Sequence, residues 1–442
     1  MAIRIERQSS HCGVLILLLI FSLAPGSVSG QESIVPLQLS FSDPGARSMG
    51  FGGAFVALAD DATAALANPA GLVQLLRPEV SIEARSWNYS TPYTVGGRAE
   101  GLPSGVGIDT TAGLTAAKSD YDVTGLSFLS VAYPIDNWSF ALFRHEYANL
   151  RFFGATQGLF GGGSNCCQIR LWDQEWTNDL DIVSYGLSAA YRLSEKLSVG
   201  LGIVYYDSSL TATTAEFLWD EDTTESFFEP NSYLPDRSVR NLTLFVDDSD
   251  WALSGGFLWT LSESWRFGGV YRQGFETTIG TEVTAGQAVD FGVPPGGVIF
   301  RATGIPLDFP DIYGFGFVYR GPDGHLTVSL QWDHVEYSDI ANSIGLDNST
   351  IDDADELHLG AEYVFFGSTP IIAIRLGTWL ESDHQERATT DDPFTRALQP
   401  GGDDEMHYTA GLGVAFERFQ IDLAMDFADL VDTVSLSAIY NF

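Results

Sequence analysis

Val183-Ser-Tyr-Gly-Leu-Ser-Ala-Ala-Tyr-Arg-Leu193 runs into Ser194-Glu-Lys196 and then into Leu197-Ser-Val-Gly-Leu-Gly-Ile-Val-Tyr-Tyr206. In the first stretch Val183, Tyr185, Leu187, Ala189 and Tyr191 alternate with Ser184, Gly186, Ser188, Ala190 and Arg192. In the second, Leu197, Val199, Leu201, Ile203 and Tyr205 alternate with Ser198, Gly200, Gly202, Val204 and Tyr206. A period of two sends alternate side chains to opposite faces of a strand, so this is an antiparallel hairpin with one large apolar face and one small face. The pattern recurs over 251–261, 265–273, 312–320, 326–333, 357–365, 371–379, 407–416, 419–427 and 434–442.

In a soluble sandwich the large face is the core; in a membrane barrel it meets lipid and the small face meets the lumen. Three features favour the barrel. Aromatic residues sit at strand ends, as interfacial girdles do: Tyr191, Tyr205, Trp251, Trp265, Tyr319, Trp332, Tyr363 and Tyr440. Tight turns near 134–137, 194–196, 262–264, 321–325, 366–369 and 417–418 alternate with long loops near 91–123, 153–180, 210–245, 278–309, 336–355 and 380–405. No strand is set up as a protected edge, and closure is the remedy for edges in lipid. Counting from 80–89 to 434–442 predicts an all-β transmembrane antiparallel barrel of about fourteen strands, the even number that bacterial barrels use. Both termini then lie on the short-turn side.

The composition agrees. Lys and Arg total 22 against 58 Asp and Glu, a net charge of −36, which argues against nucleic-acid binding. Residues 1–30 read as a secretory signal peptide: Arg4 and Arg7 open it, 14–24 is an apolar run shorter than the roughly 20 residues of a membrane span, and small residues precede Gln31. Cys12 precedes that run and is not a lipoprotein cysteine. Cys166 and Cys167 lie in an outer loop, where a vicinal disulfide and a free pair are both open.

Before the strands comes Gly45-Ala-Arg-Ser-Met-Gly-Phe-Gly-Gly-Ala-Phe-Val-Ala-Leu-Ala-Asp-Asp-Ala-Thr-Ala-Ala-Leu-Ala-Asn-Pro-Ala-Gly-Leu72. Asp60 or Asp61 can cap a short Ala-rich helix, and Pro69 should end it near Asn68, ahead of Ala70. The segment is too small to build a core and reads as a plug for something larger. It resembles the N-terminal hatch of the FadL/TodX family of outer-membrane transporters for long-chain fatty acids and hydrocarbons. The resemblance implies a fourteen-stranded barrel plugged by a hatch at about 31–77, the barrel itself spanning 78–442. It also implies an outer-membrane location in a Gram-negative-type bacterium, contact with lipopolysaccharide, hydrophobic small molecules as passively transported substrates, and no cofactor. In some members a kinked third strand opens the wall sideways; here that strand is 138–150, and Phe143-Arg-His-Glu-Tyr147 breaks its alternation. Some FadL-like barrels dock partners in protein secretion, and barrel lipases and acyltransferases are a further, weaker alternative. The last strand ends on Phe442, resembling the signal by which barrel-assembly machinery recognises such proteins.

No catalytic or metal-binding spacing emerges from the scattered histidines. Acidic runs such as 352–356 and 403–405 serve as solvated charge or bridge divalent cations to lipopolysaccharide. Strand phase turns Tyr206, Val270, Ile312 and Trp379 inward in the outer half, the apolar lining that a hydrophobic ligand needs. Arg272 and Arg375 are the inward cations placed to meet a carboxylate, although Arg375 also faces Glu362 and Asp422, and an internal ion pair is the stronger expectation for it.

Overall fold

The computed structural model describes residues 41–442 apart from 106, 162–168, 172, 219–232 and 347. The signal peptide, the first ten residues of the expected hatch, Cys166 and Cys167 lie outside the described residues.

Fourteen strands close into one antiparallel barrel: β1 Glu79–Arg98, β2 Gly113–Ile135, β3 Trp138–Thr156, β4 Asp173–Arg192, β5 Leu197–Phe217, β6 Ser238–Thr260, β7 Trp265–Arg272 continued by Glu276–Ala285, β8 Val298–Asp308 continued by Ile312–Arg320, β9 Leu326–Val335, β10 Ala354–Phe365, β11 Ile371–Glu381, β12 Glu405–Ala415, β13 Phe419–Phe427 and β14 Val431–Asn441. Each strand pairs with the next, and Val80 opposite Tyr440 closes the ring between β1 and β14. The phase is the expected one. Leu187, Leu201, Leu330 and Leu376 face outward, whereas Ser188, Ser329 and Gly-rich positions face inward. An exposed apolar belt around a ring with no free edge is the surface a bilayer requires.

Four connections are shorter than expected, the loop at 278–309 contracting to 286–297. The other three, at 91–123, 153–180 and 210–245, contract to 99–112, 157–172 and 218–237, because the hairpins run on beyond the apolar belt. There the outward pairs are polar: Ser86 bonds Thr124 at 2.9 Å, Ser90 donates to Asp120 at 2.8 Å, and Asn88 donates to Asp122. Backbone ladders do not need apolar side chains, so a reading that follows apolar alternation ends these strands too early.

Two seams are incomplete: between β6 and β7 the ladder lapses from Phe245↔Gly280 to Ser254↔Arg272, and between β2 and β3 it ends early. The β2–β3 ladder runs from Ile135↔Trp138 to Phe128↔His145 and stops. Each strand keeps its other neighbour: β2 pairs with β1 as far as Arg98↔Gly113, and β3 with β4 as far as Thr156↔Gln174. Tyr147 is the extra residue of a bulge between Glu146 and Ala148. A bulge bends its strand and breaks local pairing, which accounts for the lost alternation at 143–147.

The segment 41–78 fills the lumen toward the short turns. It holds α1 Ala46–Gly50, α2 Ala64–Ala67 and a 3₁₀ turn Pro69–Gln74. Asn68 is extended, as Pro69 demands, and its side chain accepts from the Ala70 N–H at 3.1 Å. Of the two candidate caps, Asp61 turns the chain into α2 by accepting the Thr63 N–H at 2.9 Å, while Asp60 is held by arginines. Phe51, Phe55, Leu58 and Leu72 are fully buried against the wall. Wall glycines make room for this: a Cβ on Gly256 would sit 2.1 Å from Asn68 Oδ1, and one on Gly360 2.1 Å from the Phe51 carbonyl oxygen.

Candidate functional site: two lumenal cavities above the plug

Where the hatch ends, space begins. The larger cavity, about 160 Å³, is walled by Phe41, Trp87, Tyr89 and Tyr337, by Ile340 and Ile351 of the outer loops, and by Trp379 of β11. The Trp379 indole stacks on the His407 ring at 3.8 Å and faces the His358 ring at 5.1 Å, and its N–H donates to Asp426 at 3.0 Å. Tyr337 stacks on His384 at 4.1 Å. Nine carboxylates and no lysine or arginine line this cavity. Apolar rings with an acidic rim can hold a neutral or cationic guest, and they present like charge to an anionic one.

The smaller cavity, about 50 Å³, lies against the β2–β3 seam and is lined by Glu146, Tyr147, Ala148, Asn149 and Leu150 of β3, together with Tyr206, Arg272 and Ile312. An aromatic stack stands beside it. Tyr206 lies parallel to Phe275 at 4.0 Å, Phe275 parallel to Phe309 at 4.3 Å, and Tyr147 meets Tyr206 edge-on at 5.2 Å. Phe275 and Phe309 occupy the breaks within β7 and β8, where Gly274 and Pro310 interrupt the strand pattern. Those interruptions were the available signal for two lumen-facing rings that strand phase cannot supply; Tyr147 was hidden by its bulge and Tyr337 by its loop.

The single apolar lining expected of Tyr206, Val270, Ile312 and Trp379 is therefore divided. All four are buried and inward. Tyr206 and Ile312 line the smaller cavity and Trp379 the larger. Val270 lines neither. It pairs with Gly314, one inward position closer to the short turns than Arg272↔Ile312, and lies beside Val56 of the hatch.

The inward cations are committed to the protein. Arg375 donates to Glu362 at 2.7 Å and to Asp422 at 2.6 Å, so the internal pair holds and Arg375 reaches no cavity. Arg272 donates to Asp43 at 2.5 Å and to the Ala67 carbonyl at 3.3 Å, pinning two separate points of the hatch. Arg320 and Arg47 grip Asp60 at 2.6 and 2.5 Å. Burial works to raise the Asp60 carboxyl, and those guanidinium groups overcome it and hold the group below its ordinary range. Burial prevails at Asp61, which is held above it. Asn68 ties the hatch to the wall by donating to the Phe257 carbonyl of β6 at 3.2 Å.

No protein-family model and no curated protein matches the chain. Solved structures do. A Pseudomonas aeruginosa FadL homologue matches with a TM-score of 0.62 at 14% identity, over 89% of this chain and 97% of that one. The CymD monoaromatic hydrocarbon channel and the Ralstonia pickettii toluene transporter TbuX each match with a TM-score of 0.56 at 16% identity, over 91% of this chain and 99% of theirs. With the closed ring and the plug, these likenesses show that the chain has the FadL/TodX-like fold, a hatch-plugged barrel of fourteen antiparallel strands.

Proposed function

We propose that the protein carries neutral hydrophobic molecules passively across the outer membrane, taking them up in the larger cavity and releasing them sideways through the β2–β3 seam. The observation that carries this reading is the position of the smaller cavity, which is lined by Glu146 to Leu150 of β3, the stretch where the ladder to β2 has stopped. Above the bulge, no backbone ladder joins the two strands and the contacts run through side chains: Arg151 donates to the Tyr121 hydroxyl at 2.8 Å, and Ser119 Oγ accepts from the Phe153 backbone N–H at 3.4 Å. Such an opening starts at Phe128↔His145, at the outer rim of the apolar belt, and leads an apolar solute from lumen to lipid there without crossing the packed hatch. The neighbours named as toluene and monoaromatic hydrocarbon transporters support the substrate class. The acidic cavity supports a neutral solute over a fatty-acid anion, because its nine carboxylates outnumber its three histidines and no lysine or arginine lines it.

Two measurements test this. Delipidated protein in detergent should bind labelled toluene in preference to labelled oleate at neutral pH. Equal or stronger oleate binding would reverse the substrate assignment, and co-purification of a protein partner with no ligand binding would favour docking. Deleting Tyr147 removes the bulge and restores register between β3 and β4. It should abolish uptake into liposomes while the barrel still folds, whereas Tyr147→Ala, which keeps the bulge, should retain most of it. Unimpaired uptake in the deletion variant would exclude the lateral route.

A further inference from the structure

Within the larger cavity, Asp333, Glu356 and His358 bring three metal-ligating groups together, and Gln331 Nε2 donates to Asp333 Oδ2 at 2.6 Å from the side. Asp333 on β9 stands directly opposite Glu356 on β10, and His358 follows two residues along the same inward face. Like charges in directly opposed positions destabilise a strand pair unless a positive group lies between them. His358 is more than nine-tenths buried, at 6% exposure. Its Nδ1 lies 2.7 Å from the carbonyl oxygen of Gly52, in the hatch. A carbonyl only accepts, so Nδ1 carries the proton, and in the neutral ring the Nε2 lone pair points at Glu356 Oε2, 3.3 Å away, and at Asp333 Oδ2, 3.4 Å away. The second Asp333 oxygen is buried without a partner.

We propose that His358 Nε2, Glu356 and Asp333 bind a divalent transition-metal ion of the zinc class. Zinc–nitrogen and zinc–oxygen bonds of about 2.0–2.2 Å in a tetrahedral site set adjacent ligand atoms roughly 3.4 Å apart, close to the two separations observed here. An outer hydrogen bond from the second ring nitrogen to a backbone carbonyl is the usual way a ligating histidine is oriented. Here that carbonyl belongs to the hatch, so the ion would couple the plug to the β9–β10 wall. Gly53 keeps this contact possible, since a Cβ there would lie 2.9 Å from His358 Nδ1.

The neighbouring group of Glu381, Glu405 and His407 is a contrast rather than a second site. Both His407 nitrogens face carboxylates, Asp426 at 3.2 Å and Glu381 at 3.2 Å, and Glu405 already accepts the Asp429 and Leu430 N–H groups. That arrangement suits an imidazolium.

The test uses purified full-length protein in detergent, stripped with EDTA and titrated with Zn²⁺ against a chromophoric chelator, with Co²⁺ as a spectroscopic probe. The expected result is one tight equivalent and a visible Co²⁺ band of tetrahedral type. Affinity should fall at least about tenfold in Glu356→Gln and His358→Ala, in line with losses seen at engineered metal shells, and be unchanged in Glu405→Gln. Glu356→Gln preserves side-chain size and decides the matter if His358→Ala does not fold. Absence of Zn²⁺ binding, or full-strength binding to Glu356→Gln, overturns the proposal and leaves an imidazolium shared by two carboxylates. Uptake is not a readout, so this result and the transport reading stand or fall separately.

Discussion

The two halves of the lumen are built from opposite materials. Toward the short turns, wall glycines and serines meet the hatch backbone directly: Ser188 donates to the Ala65 carbonyl at 2.6 Å and Ser198 to the Ala70 carbonyl at 3.0 Å. Toward the long loops, rings replace glycines and open space replaces the plug. The difference separates two tasks. The lower half must exclude solutes, which needs close packing and satisfied polar groups; the upper half must admit one class of solute, which needs apolar surface left unfilled. The small inward face is therefore sealed from solvent where the hatch lies.

The sharpest way to break the lower half is to orphan its buried charge. Arg375→Ala leaves Glu362 and Asp422 buried; Asp422 has no other cation within ion-pairing reach, and Glu362 keeps a 3.4 Å contact to Arg47. A loss of about 3–5 kcal/mol is expected, from the cost of stranding a buried charge, read as lowered denaturant resistance in detergent. A neutral outcome would mean that water reaches this network and that the lower half is not dry.

Next come substitutions that compare the two faces of one strand. Leu187→Arg should cost about 2–4 kcal/mol at mid-bilayer. Ser188→Arg should cost no less, because Ser188 has no exposed surface and sits against Ala65. In phospholipid, an Arg at 188 that is much milder than an Arg at 187 would put water back into the lower lumen.

Most of the architecture could be read from alternation: Trp265–Arg272, Ile312–Arg320 and Phe419–Phe427 begin where the pattern begins, because lipid imposes one hydrophobic rule on every strand. The hatch could be read from Gly45–Leu72, yet its position against particular wall glycines could not, since Gly256 and Gly360 look in sequence like any small inward residue. The cavities were the least legible. Trp379 and Tyr206 followed from phase, but Tyr147, Phe275 and Phe309 reach the lumen through a bulge and two strand breaks, and Tyr337 through a loop. Alternation carries no information across such irregularities. The convergence of Asp333, Glu356 and His358 depends on the register between two strands, which no single strand encodes.

Gly360→Ala probes the hatch contact with the smallest added group. The new Cβ would meet the Phe51 carbonyl oxygen at 2.1 Å, a backbone atom that cannot rotate away. Overpacking of this kind costs about 1–3 kcal/mol, and the strain should appear as hatch displacement. Leakage of small polar solutes into liposomes should rise, while Leu359→Ala, on the lipid side of the same strand, should leave it unchanged. A tight barrier in Gly360→Ala would show that the hatch yields without opening.

The last perturbation falls in the upper half and is read in uptake. Trp379 stands at the edge of existing space, so Trp379→Ala enlarges a cavity that is already there rather than opening a new one. It removes the ring surface that stacks between His358 and His407 and fronts the guest. Burial of apolar groups gains about 0.8 kcal/mol per methylene, so a hydrophobic guest is held by wall area more than by charge. Uptake of neutral hydrocarbons should therefore drop further in Trp379→Ala than in Arg272→Ala, whose guanidinium is already spent on Asp43 and Ala67. Uptake that fell more in Arg272→Ala, with the barrel folded and the hatch seated, would mean that the arginine exchanges Asp43 for a substrate carboxylate. The upper half would then recognise acids at the smaller cavity rather than neutral guests at the larger one.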